Sequence, residues 1–253
     1  MNRRFALLSM VALAGCNSQS GPLTQTEYCN QYAQDVCAGV VPACLMTETD
    51  CTAARLTECT QVGQRNAGLN RKFIPANAEA CLSKVSANYS KLNQGAVALD
   101  AADYQAMNQA CSNVYRGTAI ANDLCPNGAD ADCINDLVCD KGYCGTARLV
   151  AQAGLGCANI GEYCSQGLYC SNATGIYFCT SKVGLGGACG DSLPCMENLR
   201  CSAGICDVQL GIGEVCSVDQ DCGSGFCEPY AALCAQDIRF ARGTAACNFM
   251  SGT

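Results

Sequence analysis

The sequence predicts small disulfide-rich repeats, with little regular structure beyond short β-hairpins, preceded by an all-α disulfide-stapled helical module. Three observations predict it. Sixteen cysteines between Cys125 and Cys234 fall into four groups of four, with first members 32, 32 and 27 residues apart, the self-similarity of a tandem array. Upstream, apolar residues and paired cysteines recur at helical spacing. Third, 25 cysteines in 253 residues, no tryptophan and 6% aromatics leave little material for a large conventional core in the cysteine-rich half, so cross-links must replace it there.

The bulk numbers also exclude chemistry. There is no histidine, so no Ser-His-Asp or Cys-His constellation can form and no imidazole can ligate a metal. The formal charge is −7, and −9 without Arg3 and Arg4. An acidic chain with no basic run is a poor nucleic-acid binder, because that binding is driven by displacing phosphate counterions.

Residues 1–15 read as a signal peptide. Two arginines precede an apolar run from Phe5 to Ala14, too short to span a membrane, which takes roughly 20 apolar residues. The run ends in Leu13-Ala14-Gly15-Cys16, which resembles the lipobox of bacterial lipoproteins. The resemblance implies cleavage before Cys16, acylation of that cysteine and attachment to a membrane through its lipid. Setting Cys16 aside leaves 24 cysteines, an even number that can pair completely. Several acyl chains make anchoring stable where one is marginal. In that family, aspartate after the lipidated cysteine tends to retain the protein in the inner membrane. Asn17 stands there instead, so the expected location is the cell envelope, at the outer membrane. Residues 16–22 read as a lipidated polar tether.

Residues 23–120 read as the helical module. Thr24-Gln25-Thr26-Glu27 fits a capping box. Tyr28, Tyr32, Val36 and Cys29, Ala33, Cys37 follow a helical period, with Gly39 a candidate stop. Thr47–Asp50 offers a second start, leading through Cys51 to Cys59. Each of these helices carries two cysteines eight residues apart, just over two turns and near one face. Antiparallel packing would permit Cys29–Cys59 and Cys37–Cys51. Further helices are expected at about 76–89 and 101–115, where Cys81–Cys111 would join them. Cys44 and Cys247 remain as a candidate pair, although eight cysteines allow 105 pairings. Glu27, Asp35, Glu48 and Asp50 lie at cap and surface positions, with nothing of a catalytic carboxylate pair about them.

The four repeats are 121–148, 149–182, 183–209 and 210–236, followed by a C-terminal tail, 237–253. Their cysteines are Cys125, Cys133, Cys139, Cys144; Cys157, Cys164, Cys170, Cys179; Cys189, Cys195, Cys201, Cys206; and Cys216, Cys222, Cys227, Cys234. Asp136, Gly167, Asn198 and Gly225 hold a turn position able to take positive φ. Leu137, Leu168, Leu199 and Phe226 are the apolar plugs. Gly154-Leu155-Gly156, Gly184-Leu185-Gly186 and Gly211-Ile212-Gly213 read as inter-repeat turns rather than phosphate loops, since no Lys-Ser/Thr follows. No pair of cysteines has the tight two-residue knuckle of zinc sites, so disulfides are expected, with no metal and no cofactor. Asp130/Asp132 and Asp219/Asp221 are carboxylate pairs of the kind calcium uses, or solvated turn residues. Asn88-Tyr89-Ser90 and Asn172-Ala173-Thr174 match glycosylation sequons, which a bacterial export signal leaves without consequence.

The phrasing Cys-x5–7-Cys-x4–5-Cys-x4–8-Cys, with Gly167-Leu168 before the third cysteine, resembles the Dickkopf N-terminal cysteine-rich and EGF-like repeats. It covers about 120–236. Similar tandem repeats occur in bacterial lipoproteins behind a helical cysteine-bearing region. The interlocked order of EGF-like modules implies first-to-third and second-to-fourth bonding within each repeat. Each closed loop, on the order of 10–15 residues, would then contribute roughly 2–4 kcal/mol in the chain-entropy model. The animal domain has adjacent cysteine pairs and this chain has none, so a Wnt-pathway role is not carried over.

The functional expectation is a non-enzymatic envelope lipoprotein that displays its repeats for binding or adhesion at the cell surface, with a protein or glycan ligand and no nucleic acid. Short loops on a cross-linked frame lose little entropy on binding. Tyr143, Tyr163, Tyr169, Tyr177 and Tyr230 are the candidate contacts. The alternative is a protease inhibitor using Arg200 or Lys182 on a rigid loop.

Overall fold

Five helices and a set of two-stranded ladders make up the computed structural model, which describes residues 21–150, 152–173, 175–190 and 193–252. The lipobox and Cys16 lie outside these residues. The helices are α1 (Gln25–Cys44), α2 (Glu48–Gly68), α3 (Pro75–Asn93), α4 (Ala101–Ser112) and α5 (Ala245–Ser251). Thr24 and Glu27 form a full capping box, Thr47 caps α2 through Asp50 N–H, and Asp100 caps α4. Pro75 opens α3, where its missing N–H costs nothing.

Gly39 is not the end of α1. The helix runs on to Cys44 and stops at Leu45, in a left-handed conformation with φ 54°. Gly39 serves a crossing instead. A Cβ there would sit 2.1 Å from the Tyr89 carbonyl oxygen, so glycine lets α1 and α3 approach backbone to backbone.

Two disulfides, Cys29–Cys59 and Cys37–Cys51, staple α1 to α2, and Cys81–Cys111 joins α3 to α4. The enclosed core holds Val36, Val40, Val85, Tyr89 and Leu99 with almost no exposure. Residues beyond Cys234 are not a free tail. Asp237–Arg239 pairs antiparallel with Ala98–Asp100, which inserts Ile238 and Phe240 into that same core. Helix α5 then packs on α1 and α2, and Cys247 bonds to Cys44.

The four repeats share one plan. A hairpin joins the third and fourth cysteines, which face each other directly as Cys139/Cys144, Cys170/Cys179, Cys201/Cys206 and Cys227/Cys234. The segment before the first cysteine bridges the returning strand at Leu124/Tyr143, Gly156/Phe178, Ala188/Ile205 and Val215/Leu233. The incoming linker lies parallel to the second cysteine, through Ala119/Cys133, Val150/Cys164, Val183/Cys195 and Leu210/Cys222. Disulfides run first-to-third (Cys125–Cys139, Cys157–Cys170, Cys189–Cys201, Cys216–Cys227) and second-to-fourth (Cys133–Cys144, Cys164–Cys179, Cys195–Cys206, Cys222–Cys234).

Two local readings shift. The positive-φ turn before the plug falls at Asn135 in repeat 1 rather than Asp136, while Gly167, Asn198 and Gly225 hold it elsewhere. Asparagine enters the left-handed region more readily than most residues, and repeat 1 uses it. The Gly-apolar-Gly phrases are not in register either. What recurs is a left-handed residue three positions before the first cysteine, at Asn122, Gly154, Gly186 and Gly213. Its N–H donates each time to the carbonyl of the fourth cysteine.

Both ends of the array are fastened to the helical module. At repeat 1, Arg71 forms an ion pair with the buried Asp132, and Arg116 donates to the carbonyls of Asn135 and Leu137. At repeat 4, Phe226 leaves its own unit and packs edge-on against Tyr104 in the helical core. Gln105 donates to Asp219 and to the Gly225 carbonyl. Leu137, Leu168 and Leu199 stay half-buried, while Phe226 is buried because the core of the helices receives it.

Candidate ligand-binding groove

The structure engages all 24 cysteines from Cys29 to Cys247 in disulfides, so their sulfurs are scaffold. Within each repeat three sulfurs lie within 4.8 Å of one another because two disulfides stack at its centre. The paired aspartates are likewise spoken for. Asp130 and Asp219 accept from the N–H of the third cysteine, Cys139 and Cys227. Asp132 and Asp221 accept from the loop before the second, at Asn127 and Ala129 and at Ser217 and Val218. These carboxylates shape loops in repeats 1 and 4 alike. Asn88, first residue of one sequon, is buried and donates to the Asp103 carbonyl.

The loop aromatics divide. Tyr143 and Tyr163 are exposed, Tyr169 is half-buried, and Tyr177 carries Lys141 Nζ 5.3 Å from its ring centre. Tyr230 turns inward instead, its ring 4.9 Å from that of Phe249 and its hydroxyl 3.5 Å from that of Tyr104. The candidate inhibitor residues do not stand on free loops. Arg200 sits in a hairpin strand opposite Asp207, and Lys182 is ion-paired to Glu197 at 2.7 Å.

Tyr230 completes a groove at the seam between the helices and repeat 4. One concavity, of about 390 Å³, is walled by Tyr32, Arg55, Glu58, Tyr104, Asn108 and Tyr230. A smaller one, of about 150 Å³, adjoins it through Tyr32 and Glu58 and continues past Tyr28 and Val62 to Tyr115. Tyrosines 28 and 32 lie one helical turn apart on α1, so both rings meet the same face of α2. Cys59 and Cys111 also line the smaller concavity, so two staples hold its walls.

The charges in the groove cancel. Arg55, only 4% exposed, pairs with Glu58, donates to the Phe249 carbonyl at 2.7 Å and lies 4.5 Å above the Phe249 ring. Burial pushes the Tyr32 hydroxyl up to about 12 and raises those of Tyr28 and Tyr230 as well, so these phenols stay neutral at pH 7. Two buried donors on these walls, Arg55 Nε and Tyr115 Oη, have no hydrogen-bond partner among the described residues.

No family model, curated protein or solved structure matches this chain. The groove therefore has to be read from its own chemistry. It offers neutral phenols, one cancelled ion pair and aromatic faces, with Glu58 the carboxylate on its walls among the described residues. A separate cleft of about 440 Å³ lies between repeat 4 and α5, with Ile212, Leu233 and Ala246 on its walls. There Glu228 keeps one carboxylate oxygen buried and unpaired among the described residues.

Sequence reasoning placed the candidate contacts on the repeat loops and missed Tyr32, Arg55, Glu58 and Tyr104. Tyr32 and Tyr104 follow the same helical period as true core residues. A charged pair at i, i+3 on α2 reads as a solvated face until α5 covers Arg55. Tyr230 was the available signal, as a tyrosine between Phe226 and the fourth cysteine of its repeat.

Proposed function

We propose that this chain is a non-enzymatic, lipid-anchored protein of the cell envelope, placed at the outer membrane, which binds a protein or glycan ligand at the cell surface. One observation carries the anchoring. The 24 cysteines from Cys29 onward are all bonded to one another. Cys16 therefore has no thiol left to pair with inside the chain, and a lipobox-like Leu13-Ala14-Gly15 precedes it. Acylation gives that thiol a chemical purpose. Among the described residues no helix is long and apolar enough to cross a membrane, and the proposed attachment is through acyl chains, more than one being needed for stability.

The resemblance of residues 120–236 to Dickkopf N-terminal and EGF-like repeats supports a binding role, as does the frame itself. Cross-links on both sides of a concave seam keep walls in place before a ligand arrives, which lowers the entropy cost of association. Metabolic labelling with an alkyne-bearing fatty acid tests the reading. The label should sit on Cys16 and the protein in the membrane fraction, and Cys16→Ser should lose both. An unlabelled protein in the soluble fraction would reject the anchor. A pull-down with a soluble form beginning at Asn17 tests binding, and recovery of neither protein nor glycan would reject it.

A further inference from the structure

We propose that the tyrosine groove is a binding site for a short neutral oligosaccharide. The inference rests on the binding reading above and gives it a ligand class. Three features select that chemistry. First, Arg55 and Glu58 neutralise each other inside the groove, so nothing there favours a ligand of net charge. Second, the phenols of Tyr28, Tyr32, Tyr115 and Tyr230 remain protonated and so both donate and accept, as sugar hydroxyls do. Third, aromatic rings flank the length of the groove and present apolar faces to the C–H faces of a pyranose. Tyr32, Tyr104, Tyr230 and Phe249 wall the larger concavity and Tyr28 and Tyr115 the smaller; the Tyr230 and Phe249 rings lie 4.9 Å apart and those of Tyr28 and Tyr32 6.1 Å apart, centre to centre.

The unpartnered donors give the site its polarity. Arg55 lines the larger concavity and Tyr115 the smaller, each with one polar atom, Arg55 Nε and Tyr115 Oη, that is buried and without a partner among the described residues. A buried donor left unmade costs about 1–3 kcal/mol. A chain of sugar rings carries hydroxyls along its length, and Glu58 and Asn108 on the walls of the larger concavity can take their protons. The larger concavity falls within the size range of small-ligand sites. A charged peptide fits less well, because its charge would find no opposing excess.

The test uses the purified protein with its disulfides intact. The chain has no tryptophan, and five of its ten tyrosines, Tyr28, Tyr32, Tyr104, Tyr115 and Tyr230, line the groove, so tyrosine fluorescence is sensitive to its occupancy, and calorimetry supplies an independent isotherm. Maltotetraose, cellotetraose and chitotetraose are the neutral probes; polygalacturonate and oligolysine are the charged ones. At least one neutral tetrasaccharide should bind saturably. Tyr32→Phe, which keeps the ring, and Asn108→Ala, at the rim, should each weaken binding about tenfold. Leu185→Ala, at an exposed turn of repeat 3, should leave it unchanged. The proposal is overturned if no neutral probe saturates. It is also overturned if binding follows the charged probes and fades with salt, or survives Tyr32→Phe and Asn108→Ala undiminished. Fatty-acid labelling at Cys16 is read separately, so loss of glycan binding with the label retained removes the ligand class and leaves the envelope reading standing.

Discussion

Cys44, at the last turn of α1, is bonded to Cys247 in α5, 203 residues further along the chain. That bond turns a string of repeats into a closed structure, since the array leaves the helices at one end and is brought back to them at the other. Cross-linking so long a loop removes more denatured-state entropy than any short staple, on the order of 5 kcal/mol in the chain-entropy model. The double variant Cys44→Ser/Cys247→Ser should lose about that much in guanidinium unfolding under non-reducing conditions. Exchange protection should fall first at Ile238 and Phe240, whose strand depends on α5 being held. An unchanged midpoint with full protection there would mean that packing, not the bond, closes the chain.

Reduction should dismantle the repeats in a defined order. Repeats 1 and 4 are fastened to the helices, and repeats 1, 2 and 4 each have a small buried cluster around their sulfurs. Repeat 3 has neither support, and Cys201 is exposed while Cys189 and Cys195 are only half-buried. Graded dithiothreitol followed by alkylation and mass spectrometry should therefore label Cys189, Cys195, Cys201 and Cys206 first. The helical module should keep its far-ultraviolet signal at that stage, because a core including Val36, Val85 and Tyr89 stands beneath its staples. Simultaneous labelling of all four repeats would contradict this order.

The parts legible in the sequence were those with a local period. Eight residues between Cys29 and Cys37, and again between Cys51 and Cys59, are two helical turns, and that alone aligns two staples between α1 and α2. The repeat architecture was legible because cysteine spacing repeats. Residues 237–252 were not, because the strand Asp237–Arg239 takes its meaning from Ala98–Asp100, over 130 positions upstream. The groove was illegible for a related reason. Its far wall is Tyr230, which is carried into place by the Phe226 plug docking beside Tyr104, and no local pattern announces a plug that fills a neighbour's core. Gly39 misled in the same way, since its purpose is a contact with Tyr89, fifty residues away, and not the end of its own helix.

Asp132 is the single side chain on which the docking of repeat 1 turns. It accepts from Arg71 Nε and Nη2, from the side chain and backbone of Asn127 and from Ala129 N–H, with its own side chain 1% exposed. Burial alone would push its carboxyl up, but the hydrogen bonds from Asn127, Arg71 and Ala129 outweigh that and hold it below the usual aspartate range. Asp132→Ala should cost about 3–5 kcal/mol, since it strands Arg71 and two backbone donors together. The loss should appear as higher exchange at Gly117 and Ala119, which bond to the Ala131 and Asp132 carbonyls. A loss below about 1 kcal/mol would show that Arg116 and its carbonyl partners suffice.

The junction between repeats 2 and 3 should carry its own acid sensitivity. Glu197 Oε1 accepts from Gly167 N–H at 3.0 Å and from Lys182 Nζ at 2.7 Å, tying the two hairpins together. The Gly167 N–H and then the Lys182 ammonium lower its carboxyl from the ordinary 4.5 to about 2. A depressed carboxylate stabilises the folded state wherever the unfolded chain would already be ionised. The contribution is therefore complete above about pH 4.5 and fades as the pH falls towards 2. The Gly167 amide resonance should titrate with a midpoint near pH 2 in the native protein, and Lys182→Met should raise that midpoint. Glu197→Gln should abolish the titration and loosen the junction at neutral pH. A Gly167 midpoint near 4.5 would mean that Glu197 is an ordinary solvated carboxylate and that the two repeats are joined by backbone alone.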